Sequence, residues 1–294
     1  MAVQELPTDA VPVAVVTDSS PRTMTTSYNL DTTPPAGRSP TANGDSRDQQ
    51  PKMEEDLSGF WATFSGAQVL GVLVVLLVAI WTGSMAGGFA WRSNPSLEFN
   101  WHPLLMVVGF VFLYGNSIMI YRGLRAMRKQ KLKLIHAGLP VITLLCIIIA
   151  QVAVFDSHNL AKPPIPNLYS LHSWIGLGAI ILYVLQWVIG LVVFLYPGAS
   201  VAIRTRIMSW HVFSGLFIFS LVVIACVTGL LEKAIFKLGN NYGALPSEGM
   251  MINFIGIFII LFALSVFYIT TNPKFKRYPR PEDGALLTKS SVSE

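Results

Sequence analysis

Six apolar runs, each close to the 20 residues an α-helix needs to cross a hydrocarbon core, constrain this chain more than any other feature. They lie near residues 67 to 90, 103 to 121, 134 to 155, 172 to 195, 210 to 231 and 251 to 271. Since 52% of the 294 residues are hydrophobic and only 13% charged, with a mean hydropathy of +0.54, the chain reads as an integral membrane protein. The expected fold is all-α, with six transmembrane helices that bring both ends of the chain to one side.

Charge placement predicts which side. The connection after the second run carries Arg122, Arg125, Arg128, Lys129, Lys131 and Lys133 with no acid, the one after the fourth carries Arg204 and Arg206, and Lys274, Lys276, Arg277 and Arg280 follow the sixth. The other three connections hold Arg92, Lys162, Lys233 and Lys237, diluted by Glu98, Asp156, Glu232 and Glu248. Twelve basic residues against four place both termini in the cytoplasm. The net charge of +5 is therefore a matter of membrane topology and not of nucleic-acid binding. Trp91, Trp101, Tyr121, Tyr169, Trp210 and Tyr268 near the run ends fit an interfacial aromatic belt. Residues 1–60, rich in Pro, Ser, Thr and Asp, read as a disordered cytoplasmic tail. Residues 61–272 form the membrane domain and 273–294 a cytoplasmic C-terminal tail. No cleavable signal sequence and no acceptable glycosylation sequon are expected. Cys146 and Cys226, both inside apolar runs, read as buried structural thiols, and the ten scattered methionines as packing residues.

Four histidines stand at or just before the start of consecutive runs: His102, His136, His172 and His211, at intervals of 34, 36 and 39 residues. Helices that alternate in direction put His102 and His172 toward one face and His136 and His211 toward the other. Two imidazoles per face leave a tetrahedral zinc shell half filled, with no Cys, Asp or Glu nearby in sequence to complete it. Haem needs only two axial ligands, so the count suits a six-coordinate electron-transfer haem at each face. Gly176 and Gly215, four residues after His172 and His211, lie on the same helix faces and predict room for a flat ring.

The stretches Phe99-Asn-Trp-His102-Pro-Leu-Leu-Met106, Tyr121-Arg122, Lys133-Leu-Ile-His136-Ala-Gly138, Val154-Phe-Asp-Ser-His158-Asn159 and Asn167-Leu-Tyr-Ser-Leu-His172-Ser-Trp174 resemble the animal cytochrome b561 family, over roughly residues 60 to 280. The resemblance implies a six-helix protein whose central four-helix bundle binds two b haems, the outer on His102 and His172, the inner on His136 and His211. It implies that Arg122 and Lys129 pair with propionates of the inner haem, while Asn167, Leu168, Tyr169, Ser170 and Glu232 border the outer one. Lys133 and Arg204 become cytoplasmic ascorbate contacts. His158 becomes an outer substrate residue that binds the acceptor or moves a proton, with Asp156 as an assisting chelate contact. The implied reaction is transmembrane electron transfer from cytoplasmic ascorbate to monodehydroascorbate or a ferric chelate. In the lipid bilayer, monomer and homodimer both stay open.

Three rivals differ in class. A flavin and nicotinamide ferric reductase lacks a Gly-x-Gly-x-x-Gly after a strand here. A haem-free transporter would use the histidines as a proton relay, and a cytochrome subunit would belong to a larger membrane redox complex. Glu282-Asp-Gly-Ala-Leu286-Leu287 fits an acidic dileucine pattern, which favours an endosomal or lysosomal membrane, and a vesicle or plasma membrane stays open.

Overall fold

A computed structural model describes residues 57–278; the two expected tails, including Leu286 and Leu287, lie almost wholly outside the described residues. Six stretches are long and apolar enough to cross a membrane: Phe60–Met85, Pro95–Gly123, Lys129–Asn159, Leu171–Phe194, Val201–Ala244 and Ser247–Thr271. Within the first, α1 (Phe60–Ile80) runs into a π-helical turn at Trp81–Met85. Gly87 and Gly88, both at positive φ, then turn the chain back, so the helix stops earlier than the apolar run suggests.

The second span is assembled from pieces. Asn94 caps α2 (Pro95–Glu98) by accepting from the Leu97 amide, and Pro95 opens it at a position where its missing N–H costs nothing. α3 (Trp101–Leu105) passes through a π-helical stretch, Met106–Leu113, into α4 (Tyr114–Gly123). Glu98, read from sequence as a loop acid, is fully enclosed, and neither carboxylate oxygen has a hydrogen-bond partner among the described residues.

The third and fourth spans are α5 (Lys129–Asn159) and α6 (Leu171–Phe194); the fifth is α7 (Val201–Leu238) and the sixth α8 (Ser247–Thr271). At 1.5 Å per residue the 38 residues of α7 measure about 57 Å, well beyond a hydrocarbon core of about 30 Å. α6 packs on α7, α5 on α3, α4 and the π stretch between them, and α8 on α1 while also touching α4 and α7. Cys146 on α5 and Cys226 on α7 are free, half-buried thiols.

Two antiparallel registers position the histidines. As α6 numbers rise through 172, 176, 186 and 190, their nearest partners on α7 fall step for step through 229, 225, 215 and 211. On the other side of the bundle His102 faces Ala150, Gly109 faces Cys146 and Ser117 faces His136. Gly109 permits the close approach there, since an added Cβ would lie 2.6 Å from that of Cys146. The Gly109 carbonyl accepts from the Tyr114 amide in the π-helical pattern and also from the Thr143 hydroxyl at 3.2 Å.

Halfway along the bundle four aromatic side chains interlock: Phe110, Tyr114, Tyr183 and Phe219, each 5% exposed or less. Tyr183 meets Phe110 and Tyr114 edge-on with centroids 5.0 and 4.6 Å apart, and Tyr114 meets Phe219 at 5.6 Å. The bundle end holding His136 and His211, where the rings of Phe60 and Phe275 also meet, is called proximal, and the end holding His102 and His172 distal.

Candidate functional site: two imidazole pairs

His102 and His172 face each other with ring centroids 6.1 Å apart and planes at 90°; His136 and His211 do so at 6.1 Å and 73°. The pairing expected from alternating helix direction is the pairing the helices produce. Three of the four rings have a fixed tautomer. His102 Nδ1 lies 3.3 Å from the Ala150 carbonyl, His172 Nδ1 2.7 Å from that of Ala225, and His136 Nδ1 2.9 Å from that of Ser117. A carbonyl only accepts, so each Nδ1 carries the proton and each Nε2 keeps its lone pair, the arrangement of a metal-ligating imidazole. His211 Nδ1 is buried and has no hydrogen-bond partner among the described residues.

The donor set fits haem. A metal–imidazole bond of about 2.0 Å, with the donor nitrogen about 1.1 Å from its ring centroid, puts two trans imidazoles roughly 6 Å apart between centroids. Among the described residues no three His, Cys, Asp or Glu side chains converge on one point. Two donors per end are what the protein supplies, the number required when a porphyrin fills the other four positions. At the distal end a cavity of about 920 Å³, lined by His102, His172, Phe99, Gly176 and Glu232 among others, is of cofactor size.

The glycines nearest the imidazoles come from the facing helix. A Cβ at Gly229 would lie 2.6 Å from the His172 ring, and one at Gly190 3.0 Å from the His211 ring. Gly176 does line the distal cavity, whereas the Gly215 carbonyl accepts from the Tyr114 hydroxyl at 2.8 Å.

Around the distal pair, Ser170 caps α6 and closes a capping box with Ser173. Its hydroxyl donates to Glu232 at 3.2 Å, which supplies the carboxylate with a donor. Leu168 stands at φ 55, an uncommon conformation for a non-glycine residue, and its carbonyl accepts from Trp174 Nε1 at 2.7 Å. Asn167 Nδ2 donates to Asn159 Oδ1, which turns Asn167 Oδ1 toward His158 Nδ1 at 3.1 Å. Asn167, Leu168, Tyr169, Ser170, Glu232 and His158 thus share the wall of one cavity. Asp156 instead pairs with Arg92 at 2.7 Å, a contact that raises the guanidinium's pKa above its ordinary value.

At the proximal end much of the basic cluster is occupied. Arg122 donates to the Asn272 carbonyl at the end of α8. Arg125 donates to the Lys276 carbonyl and lies 5.1 Å from the Phe60 ring centroid, while Arg277 reaches back to the carbonyls of Arg125 and Met127. Lys133 Nζ donates to the Phe194 carbonyl and lies within electrostatic reach of Arg204 and Lys129. Sequence reasoning missed Arg92, Gly190, Gly229 and Lys233, whose partners come from distant parts of the chain.

A bundle of membrane-length helices with a facing pair of imidazoles toward each end is the architecture of a transmembrane b-type cytochrome. The profile of eukaryotic cytochrome b561 matches residues 101–237. The transmembrane ascorbate-dependent reductase CYB561 of Sus scrofa is 41% identical over 227 residues, covering 77% of this chain and 88% of the relative. The plasma membrane ascorbate-dependent reductase CYBRD1 of Rattus norvegicus is 42% identical over 230 residues, 77% and 79% of the two chains. A putative transmembrane ascorbate-dependent reductase CYB561 homolog of Caenorhabditis elegans is 39% identical over 234 residues, 76% and 88%. The chain belongs to the cytochrome b561 family, and with it to the haem b oxidoreductases of membranes.

Proposed function

We propose that the chain carries single electrons across a membrane from cytoplasmic ascorbate to an acceptor on the opposite side, monodehydroascorbate or a ferric chelate, by way of two b haems in series. The observation that carries this reading is the pair of facing imidazole sets, one at each end of a bundle whose relatives are named ascorbate-dependent reductases. His102 with His172 and His136 with His211 would each hold a haem, which would supply a one-electron Fe(III)/Fe(II) couple.

The remaining work falls to the protein. His136 and His211 hold the proximal group and His102 and His172 the distal one, with backbone carbonyls keeping three of the four Nε2 atoms unprotonated. The proximal end, where most basic residues gather, faces the cytoplasm. Lys133 and Arg204, with Lys129 beside them, draw the ascorbate anion to that mouth. Arg122 and Lys129 stand on the same side for the proximal propionates, Arg122 by exchanging its bond to the Asn272 carbonyl. At the distal mouth Asn167, Leu168, Tyr169, Ser170 and Glu232 border the second group. His158, with Nδ1 engaged by Asn167, presents Nε2 to bind the acceptor or exchange a proton with it.

Absorption spectroscopy of purified protein tests this directly. Two haems per chain are expected, reducible by ascorbate, with one lost in His172→Ala and the other in His211→Ala. A protein without a Soret band, or with one that neither substitution touches, ends the reading. Ascorbate-loaded vesicles then compare outward reduction of monodehydroascorbate and ferric citrate.

A further inference from the structure

Lys233 is a cation in the wall of the distal cavity that forms no ion pair with any carboxylate among the described residues. Its ammonium sits 3.8 Å above the centroid of the Phe99 ring, and that ring lies 6.1 Å from the ring of His102. Among the described residues Lys233 makes no hydrogen bond and no ion pair. Glu248, whose charge reaches Lys233, is hydrogen-bonded to Lys237 and Trp81 instead, and Glu232, next to Lys233 in the chain, accepts from Ser170. Lys233, with Ser96 and Phe236, also borders a second, smaller pocket of about 180 Å³.

An aromatic face satisfies one side of an ammonium and leaves its N–H donors pointing elsewhere. A partly buried cation is costly unless paired, and at a membrane protein's mouth such a residue marks a binding function by default. We propose that Lys233 is an anion-binding group of the distal cavity, holding a carboxylate against the Phe99–His102 wall. Two sources carry that chemistry: the acidic edge of the group held by His102 and His172, and a soluble acceptor presented as a carboxylate chelate. The inference rests on the proposed function, because it takes the distal cavity as the electron exit.

The test uses the full chain in nanodiscs as wild type, Lys233→Met, Lys233→Gln and Lys233→Arg, each checked for native helix content. The readouts are the midpoint potential of the distal centre and the KM for ferric citrate against that for the cation hexaammineruthenium(III). If the carboxylate is the acceptor's, both neutral variants raise KM for ferric citrate about tenfold, leave the ruthenium value unchanged, and Arg restores the parent. If it is the cofactor's, the distal potential falls instead by a tenfold change in the reduction equilibrium, about 59 mV for one electron, with both acceptors affected alike. Either neutral variant with wild-type potential and wild-type selectivity overturns the proposal, as does equal loss for both acceptors without a shift in potential. Failure of the proposed function is read separately, on wild-type protein, as the absence of an ascorbate-reducible band. Calorimetry of citrate on wild type and Lys233→Met then still tests the anion site.

Discussion

At the scale of single residues the site depends on what is absent beside each imidazole. Gly229 backs the His172 ring with no room for a methyl group and Gly190 backs the His211 ring so closely that an added carbon must push it, so one added carbon has a local and separable effect. Gly229→Ala should displace His172 and broaden or remove the distal haem band while sparing the proximal one, and Gly190→Ala the reverse, each costing about 1–3 kcal/mol by overpacking. Low-temperature spectra of the two variants check this, and identical effects on both bands would sink it. Trp174 acts through Leu168: its indole N–H holds the carbonyl of a residue at positive φ in the cavity wall. Trp174→Phe should lose about 1 kcal/mol of stability, a typical net hydrogen bond, and slow delivery to the acceptor without changing reduction by ascorbate. Stopped-flow measurement of the two half-reactions separates them.

At the scale of elements the antiparallel register of α6 and α7 governs both ends at once. A single residue inserted between Gly176 and Gln186 leaves His172 against Gly229 but rotates everything beyond by about 100°, carrying Gly190 off His211. The expected product keeps one haem, the distal one, and haem stoichiometry checks it. The sequence made the six spans and the pairing of the histidines readable, because length, hydropathy and alternation of direction are properties of the chain read locally. The partners of those histidines were not readable. Gly190 and Gly229 lie eighteen residues from the nearest histidine on their own helix, and only the register of two packed helices brings them to the ring. The same limit applies to Arg122, Arg125 and Arg277. They look like one positively charged mouth in sequence, yet carbonyls left over at helix ends claim them. Lys233 escaped notice because its partner, the Phe99 ring, belongs to the second span, far from Lys233 along the chain.

At the scale of the whole molecule the two ends differ in charge, and the cations that remain at the proximal mouth set the capture of an anionic donor. Lys133→Ala combined with Arg204→Ala should raise KM for ascorbate about tenfold with little change in kcat. The wild-type KM should itself rise with ionic strength as screening shortens the field's reach. A double variant whose KM matches the parent at low salt would place the donor elsewhere. Between the mouths, Phe110, Tyr114, Tyr183 and Phe219 lie at mid-depth on three spans, between the proximal and distal imidazoles along each. Close aromatic packing of this kind leaves no path for water or ions through the middle of the bundle. Turnover on the proposed function is therefore electrogenic. An inside-negative potential favours each outward electron by up to about 2.3 kcal/mol per 100 mV, so the membrane voltage itself becomes a co-substrate of the reaction.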